Sequence, residues 1–388
     1  MFQSKPLPDS REALLLLDKL SNRSPSCRPR PVDGPVVLYG AGKLGRLAAE
    51  LFTRLGIPIA YAIDRACLPK QLLLGKIPVY RLDNAPVCDR SSYTVAVSVA
   101  LSPISPIRAH LRQLGWTQAW PFYDIAQTYA DRVPLNNGWF TGPLTSSDYS
   151  QVAHTVRAWE DSVSRAAYLQ FLAWRIHREE WGFDGAPVLT EDRYFIPPIL
   201  AALRRGDSFL DAGAYDGSIS QRFIDLTQGA FGQVYAIEPD RNNMALLRTW
   251  RETLPADRAG RVVLLSQALS DISGTLPFSH GYGLASRLMT GCGESADATT
   301  LDKLGLSFTF AKLHLEGEEL GALIGGMCSF AHNRPIIAVT ADHNRDGLWR
   351  VPTFLIDRLP EYRALFRLHA WCGTGAVVYM IPNERWKS

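Results

Sequence analysis

The sequence lacks the marks of a secreted, membrane or nucleic-acid-binding protein. No Cys-x-x-Cys pair occurs among its six cysteines, which suits scattered reduced thiols of a cytosolic protein. No apolar run reaches the ~20 residues that a membrane helix needs. The N-terminus carries Asp9, Arg11 and Glu12 instead of the apolar core of a signal peptide. The net charge of +3 is spread along the chain without a basic run. We therefore expect a cytoplasmic protein with no membrane insertion and no nucleic-acid partner.

What the sequence does contain is typical of two α/β domains. The 388 residues are 46% apolar and 20% charged, an ordinary globular composition with room for two domains. Strands and helices alternate from 36 to about 125, and again from 205 to the end, which predicts parallel sheets. Between them, Trp, Arg and Ala recur at helical spacing. The predicted units are an N-terminal Rossmann-like nucleotide-binding-type domain over 1–145, a helical bridge over 146–198 and a second α/β domain over 199–388.

The first domain carries a Gly-x-Gly-x-x-Gly loop directly after a strand, with an acid at the end of the next strand. The predicted nucleotide ligands are Gly40, Gly42, Gly45 and Asp64. The surrounding unit shows no catalytic set, because its Tyr-x-x-x-Lys is formed by Tyr39 and Lys43 inside the loop itself. Three interpretations stay open: a non-catalytic nucleotide or nucleotide-sugar site, a purely structural role, and NAD chemistry.

A second glycine loop, 211–217, follows another strand and opens a helix. Gly213 and Gly217 would let the backbone come close to a ligand, since glycine has no Cβ. Glu238 ends the following strand, where a carboxylate can accept hydrogen bonds from both hydroxyls of a ribose. The order of strand, loop, helix, strand and acid is the layout of an S-adenosylmethionine site.

From about 194 to 382 the chain resembles the FkbM family of S-adenosylmethionine-dependent methyltransferases. The segments that carry the resemblance are 211–217, 235–240, 268–271, 300–302, 312–317 with Glu319, and 348–349. The resemblance implies a class I methyltransferase-type Rossmann-like sheet in the C-terminal domain, beside the smaller Rossmann-like domain and the bridge. It also implies a cofactor site formed by Asp211, Gly213, Tyr215, Gly217, Glu238 and Asp271. Asp211 would face the cofactor's ammonium group, and Asp271 or Gln267 would lie near its adenine.

The chain departs from the family in its fourth strand. Where the family has Lys-x-Asp-x-Glu-Gly, this sequence has His314 in place of the aspartate, between Lys312 and Glu316. A histidine there can act as general base on a hydroxyl, or the substitution can mark an inactive copy. His343, at the end of the next strand, is the second candidate base. Lys312 and Glu316 would orient or polarise the acceptor.

Two histidines and a carboxylate can also bind a metal ion, and His314, Glu316 and His343 would converge if their strands were neighbours. No spacing rule fixes such a site, so we expect no metal.

The predicted function is methyl transfer from S-adenosylmethionine to a hydroxyl of a sugar or secondary metabolite. One alternative is a catalytically inactive protein that binds the cofactor or a nucleotide-sugar. A less favoured one is an NAD-dependent sugar oxidoreductase. The expected partner is a small-molecule or saccharide acceptor, and a homo-oligomer is compatible with the sequence. The sequence identifies neither the acceptor nor the oligomeric state.

Overall fold

The computed structural model of the chain describes residues 4–24, 30–68, 70–86, 89–135, 137–289, 291 and 293–387. The first part contains α1 (Ser10–Ser21), β1 (Val36–Tyr39), α2 (Lys43–Leu55), β2 (Ile59–Ile63), β3 (Leu72–Leu73), β4 (Ile77–Tyr80), β5 (Thr94–Val97), α3 (Ile104–Gln113), β6 (Gln118–Pro121) and α4 (Phe122–Thr128). The bridge contains α5 (Ser146–Ala158), α6 (Ser162–His177) and α7 (Pro197–Ala202).

The rest of the chain contains a second series of strands and helices. They are β7 (Phe209–Ala212), α8 (Ser218–Leu226), β8 (Val234–Ile237), α9 (Arg241–Glu252), α10 (Ala256–Ala259), β9 (Val262–Leu265), β10 (Ala268–Leu269), β11 (Gly274–Ser279), β12 (Arg287–Leu288), β13 (Ser295–Thr299), α11 (Leu301–Leu304), β14 (Phe310–Leu313), α12 (Glu319–Ile324), α13 (Met327–Asn333), β15 (Ile336–Thr340), α14 (Gly347–Arg358), β16 (Tyr362–Leu368) and β17 (Ala376–Pro382).

The N-terminal sheet has six strands in the order β3-β4-β2-β1-β5-β6. Its neighbours pair in parallel, apart from the short antiparallel pair of β3 and β4. The central strand β1 is apolar throughout, as expected of a strand covered on both faces. The carboxyl ends of β1 and β2 bear the first glycine loop and Asp64, so the predicted Rossmann-like arrangement is present.

The larger sheet has seven strands in the order β16-β17-β15-β14-β7-β8-β9. Strands β9, β8, β7, β14 and β15 run parallel, and β17 pairs antiparallel with β15 and β16. This confirms the predicted parallel strands, and β16 with β17 adds an antiparallel pair at one edge. The chain continues from β7 to β8 on one side and returns at β14 on the other. Such a reversal of strand order opens a crevice at the carboxyl ends of the strands, where ligands bind.

The helical bridge covers one face of this sheet. Helix α6 packs on β16, and α5 packs on α14. Its aromatic residues belong to the core: the ring of Phe366 lies 5.5 Å from that of Trp159 and 5.2 Å from that of Tyr168. Helix α1 contacts α5 and α6, and its buried residues belong to the same apolar cluster. The first helix is therefore structurally part of the bridge and not of the N-terminal sheet.

The N-terminal sheet is joined to the rest of the chain by a shared apolar cluster. Trp174 and Cys372 pack with Val37 and Trp116 of the first unit. A backbone hydrogen bond of 2.7 Å from Trp371 N to Ala100 O reinforces the contact. The two α/β units are thus packed directly against each other.

Two further expectations concern cysteines and membrane helices. Cys67, Cys328 and Cys372 are free thiols, while Cys27, Cys88 and Cys292 lie outside the described residues. In the described ranges, no helix combines the length and the apolar character needed to cross a membrane.

Candidate functional site

A cavity of about 260 Å³ opens at the carboxyl ends of β7, β8 and β14. The second glycine loop, Glu238 and the segment 267–269 line it on one side, and His314 with Glu316 line it on another. Phe278 and Arg287, from the small sheet β10-β13-β11-β12, form a further wall. The cavity therefore lies where the strand order places a ligand site.

The glycines of the second loop are required by packing inside the protein. Gly213 has φ +76°, and a Cβ there would lie 2.0 Å from the carbonyl oxygen of His314. Gly217 has φ +82°, and a Cβ would lie 2.4 Å from the ring of Trp250. Gly213 lines the cavity, whereas Gly217 lies outside its lining. Packing inside the protein therefore accounts for both glycines, and the approach of a ligand to them stays a prediction.

Glu238 is held in one orientation at the end of β8. Its Oε1 accepts a hydrogen bond of 2.9 Å from Asp240 N, and its Oε2 accepts one of 3.0 Å from Tyr215 N. Tyr215 has φ +53°, an uncommon conformation for a residue with a side chain. Burial raises the pKa of Glu238. The side chain of Asn243 also contacts this carboxylate, so a fixed hydrogen-bond acceptor borders the cavity.

Asp211 does not occupy the position predicted for it. It is fully buried outside the cavity lining, where Oδ1 receives a hydrogen bond of 2.9 Å from Lys312 Nζ and Oδ2 one of 2.7 Å from Ser220 Oγ. Its negative charge is therefore matched inside the protein and is not offered to a ligand's ammonium group.

Lys312 donates all its hydrogen bonds to the second glycine loop. Its ammonium group donates to Asp211 Oδ1, to Ala212 O at 3.3 Å and to Gly213 O at 2.6 Å, which uses the donors a lysine has. Burial lowers the pKa of Lys312, but the Asp211 carboxylate outweighs it and the pKa is raised. Lys312 fixes the loop and also lines the cavity, and the role predicted for it in orienting the acceptor stays a prediction.

Asp271 also lies away from the cavity. Asp271 follows strand β10, which pairs with β13. The hydroxyl of Ser270 lies 3.2 Å from Asp271 Oδ1 and donates a hydrogen bond of 2.7 Å to Glu318 Oε1. Asp271 lines a separate surface depression, whereas Gln267 lines the main cavity. Of the two residues predicted near the adenine, Gln267 is the one in position.

His314, Glu316 and His343 meet beside the cavity because β14 and β15 are parallel neighbours. Glu316 Oε1 lies 2.9 Å from His314 Nε2 and 3.5 Å from His343 Nε2. His314 and Glu316 line the cavity, while His343 lies behind them. The two candidate bases are therefore one cluster around a single carboxylate.

The outer nitrogen of each histidine ring is also engaged. His314 Nδ1 lies 2.5 Å from the hydroxyl of Tyr194, and His343 Nδ1 lies 2.6 Å from Glu319 Oε1. Glu319 is 2% exposed and accepts hydrogen bonds from Leu315 N and Gly317 N. Both Nε2 atoms are thereby directed at Glu316.

The protonation states within the cluster follow from burial and charge. Burial, with a contribution from His343, lowers the pKa of His314 well below 6.5, so this ring is neutral. Burial lowers the pKa of His343 as well, but Glu316 and Glu319 outweigh it and raise the value to about 10. Burial raises the pKa of Glu319, yet His343 outweighs it and lowers the value to about 2. His343 and Glu319 form a buried ion pair.

The comparisons with known proteins support the fold. The chain is similar to the solved structure of the FkbM methyltransferase from Methylobacillus flagellatus KT, with a TM-score of 0.62 and 15% identity over 97% of this chain and 94% of that one. The chain has the fold of an FkbM methyltransferase. The predicted class I methyltransferase-type architecture is confirmed. No family model matches the sequence, and neither does any curated protein.

Two other solved structures match this chain with much lower TM-scores than the FkbM methyltransferase does. The precorrin-6Y C5,15-methyltransferase from Geobacter metallireducens GS-15 has a TM-score of 0.29 and 14% identity over 50% of this chain and 96% of that one. The S-adenosylhomocysteine-bound methyltransferase PaMTH1 from Podospora anserina has a TM-score of 0.28 and 12% identity, over 63% and 89%. At these scores neither carries an argument about this chain.

The N-terminal glycine loop is connected to the same cavity through Lys43. A Cβ at Gly40 would lie 2.7 Å from Ser98 O and one at Gly45 2.1 Å from Gly40 O, whereas no described atom lies within 4 Å of a Cβ at Gly42. Asp64 folds back on the loop and accepts hydrogen bonds from Ala41 N at 2.7 Å and Ala66 N at 2.8 Å. The next residue after Gly42, Lys43, lines the cavity of the second unit.

Sequence reasoning assigned no function to several residues of the site. Tyr194 contacts His314 from 120 positions away, and Arg193 beside it lines the cavity. Phe278 and Arg287 come from a sheet that was not predicted. No local pattern marks such residues, because only the folded chain brings them to the crevice.

Proposed function

We propose that the protein is an S-adenosylmethionine-dependent methyltransferase that methylates a hydroxyl group of a sugar or secondary metabolite. The observation that carries this proposal is Glu238, a carboxylate fixed by two backbone N–H groups at the rim of a crevice in the FkbM methyltransferase fold. When bound, the cofactor supplies a methyl group already activated by a positive sulfur atom.

The residues present suit such a cofactor. Glu238 would accept hydrogen bonds from both ribose hydroxyls, and Gln267, also in the lining, would contact the adenine. The loop from Gly213 to Asp216 lines the wall between them and the cluster. Lys312 holds this loop through Gly213 O, so the wall keeps its shape when water is displaced.

The acceptor hydroxyl would enter beside His314 and Glu316, which line the opposite wall. The acceptor must lose its proton during the reaction, and a general base has to lie within hydrogen-bond reach of it. His314 and Glu316 are the residues of the cluster that line the cavity. Tyr194 and Glu319 hold the rings of His314 and His343 in place from outside.

The N-terminal unit is expected to bind a nucleotide or nucleotide-sugar without performing chemistry. Its loop supplies Lys43 to the rim of the methyltransferase cavity, and this placement favours a role in holding the acceptor over an independent redox site. Each carboxylate oxygen of Asp64 already accepts one backbone hydrogen bond, from Ala41 N or from Ala66 N.

Calorimetry of the purified chain with S-adenosylhomocysteine, NAD and UDP-glucose in turn tests these assignments. We expect S-adenosylhomocysteine to bind, and Glu238→Ala to weaken binding by ~1–3 kcal/mol, the range for hydrogen bonds to a charged group. Glu252→Ala, at the exposed end of α9, is the matched control. Unchanged affinity in Glu238→Ala would remove the cofactor assignment.

Turnover separates the enzyme from its alternatives. Methyl transfer to any member of a panel of sugar acceptors would establish the enzyme. Binding of S-adenosylhomocysteine without turnover on the whole panel would favour the inactive binding protein. Binding of NAD in its place would favour the oxidoreductase.

A further inference from the structure

We propose that His314, Glu316 and His343 form a binding site for one divalent transition-metal ion at the wall of the cavity. From the sequence we expect no metal, because the three residues follow no known ligand spacing. The geometry changes that expectation, since the ligand atoms of the three side chains all lie within 4.8 Å of one another.

The distances suit a shared ion. Ligand atoms bound at about 2.0–2.1 Å from a zinc-like ion lie about 3.0–3.4 Å from each other. Glu316 Oε1 is 2.9 Å from His314 Nε2 and 3.5 Å from His343 Nε2, on either side of that range. The ligand atoms of the three side chains span up to 4.8 Å, so one ring has to move inward before a single ion at about 2.1 Å can reach all three.

The surroundings of the two histidines are those of metal ligands. A ligating histidine usually donates its other ring N–H to a carboxylate, carbonyl or water, which fixes the direction of the ligating nitrogen. His343 has Glu319 at its Nδ1, at 2.6 Å, and His314 has the Tyr194 hydroxyl at its Nδ1, at 2.5 Å. Each ring is therefore oriented with Nε2 toward Glu316.

The backbone of Glu316 is held in an unfavourable conformation that aims its carboxylate. Glu316 has φ +51°, in the left-handed region that residues with side chains seldom adopt. Glu319 holds the residues on both sides by accepting hydrogen bonds from Leu315 N at 2.8 Å and Gly317 N at 3.0 Å. Strain that neighbouring groups enforce in this way is typical of functional positions.

The site is closed on one side and open on the other. His343 is buried, whereas His314 and Glu316 line the cavity. Three protein ligands with a free position toward a cavity are the pattern of a catalytic site, not of a structural one. Two imidazoles and one carboxylate select ions such as Zn²⁺, Mn²⁺ or Fe²⁺ over Mg²⁺ and Ca²⁺, which prefer oxygen ligands.

The same contacts also suit a cluster without an ion, in which His343 bridges Glu316 and Glu319 and His314 donates to Glu316. The two descriptions predict different behaviour toward metals. Metal binding is measured without methyl transfer, so this proposal and the proposed function can fail separately.

The test uses the untagged full-length chain, stripped with a chelator and titrated with Zn²⁺ by calorimetry, with metal analysis after dialysis. We expect one bound Zn²⁺ per chain and binding of Mg²⁺ at least about 100-fold weaker. His343→Ala and Glu316→Gln should abolish the tight binding, while His332→Ala on the exposed face of α13 should retain it. Tyr194→Phe should weaken it by about 10–100-fold, the usual cost of losing an outer partner of a ligand.

Two further measurements keep the result interpretable. The visible spectrum of Co²⁺ added to the unmodified chain reports nitrogen ligation without any substitution, so the test survives a variant that fails to fold. Glu238→Ala should leave Zn²⁺ binding intact, since Glu238 lies outside the cluster. The absence of stoichiometric Zn²⁺ binding, an unaltered affinity in Glu316→Gln and His343→Ala, or equal affinity for Mg²⁺ would each overturn the proposal.

Discussion

The buried pair of Lys312 and Asp211 offers the sharpest test of how the cofactor loop is held. Lys312→Met keeps the length of the side chain but leaves Asp211, which is fully buried, without its positive partner. It also removes the donors to Ala212 O and Gly213 O. Removing one member of a buried ion pair costs about 3–5 kcal/mol, because the remaining charge is uncompensated. We expect the free energy of unfolding, measured by urea denaturation, to fall by that amount.

The double variant with Asp211→Asn separates charge from shape. It removes the stranded carboxylate, so its loss of stability should be smaller than the sum of the two single losses. Lys303→Met, at an exposed position of α11, is the control and should change stability by less than about 0.5 kcal/mol. A loss below about 1 kcal/mol in Lys312→Met would refute the view that this ammonium group is the internal partner of Asp211.

Three other predictions concern stability and can be measured by denaturation. Arg175 donates to the carbonyl oxygens of Gly138, Asp342, Gly373 and Asn344, so Arg175→Met should cost roughly 3 kcal/mol, and a loss near zero would contradict this role. Gly213→Ala should lower the melting temperature by several degrees, because its Cβ would lie 2.0 Å from a carbonyl oxygen. Burial, followed by Arg193, lowers the pKa of His369 to about 3. The folded state therefore binds fewer protons than the unfolded state between pH 6.5 and 3. As the pH falls through this window, the free energy of unfolding should fall by up to about 1.4 kcal/mol per pH unit. His369→Gln should reduce that slope.

The parallel strands of both sheets could be predicted because each is a short apolar run bounded by glycine or a turn. The strands alternate with helices in both predicted stretches, and the two glycine loops follow their strands as anticipated. The small sheet of β10, β11, β12 and β13 was not predicted. Two of its strands have only two residues, and its longest, β11, is largely exposed and contains a proline, so it carries neither an apolar run nor a clear alternation.

The site was predicted where the signal is local and missed where it is not. Glu238 could be placed because it ends a strand directly after the glycine loop. The partnership of Asp211 with Lys312 spans 101 positions, and Tyr194 reaches His314 across 120. Pairings of that kind depend on which strands become neighbours, and a single sequence does not specify them. Asp271 follows β10, which pairs with β13 of the small sheet that was not predicted, and it lines a separate depression.

Gly213 links the glycine loop of the cofactor site to the end of β14, which carries His314. A Cβ at Gly213 would lie 2.0 Å from the carbonyl oxygen of His314, and the carbonyl oxygen of Gly213 accepts a hydrogen bond from Lys312. A ligand that displaces the glycine loop must therefore displace the strand end that carries His314 as well. By thermodynamic linkage, whatever factor cofactor binding imposes on the affinity of a ligand at the histidine cluster, that ligand imposes on the affinity of the cofactor. The order in which the two ligands bind then changes the path to the ternary complex but not its stability.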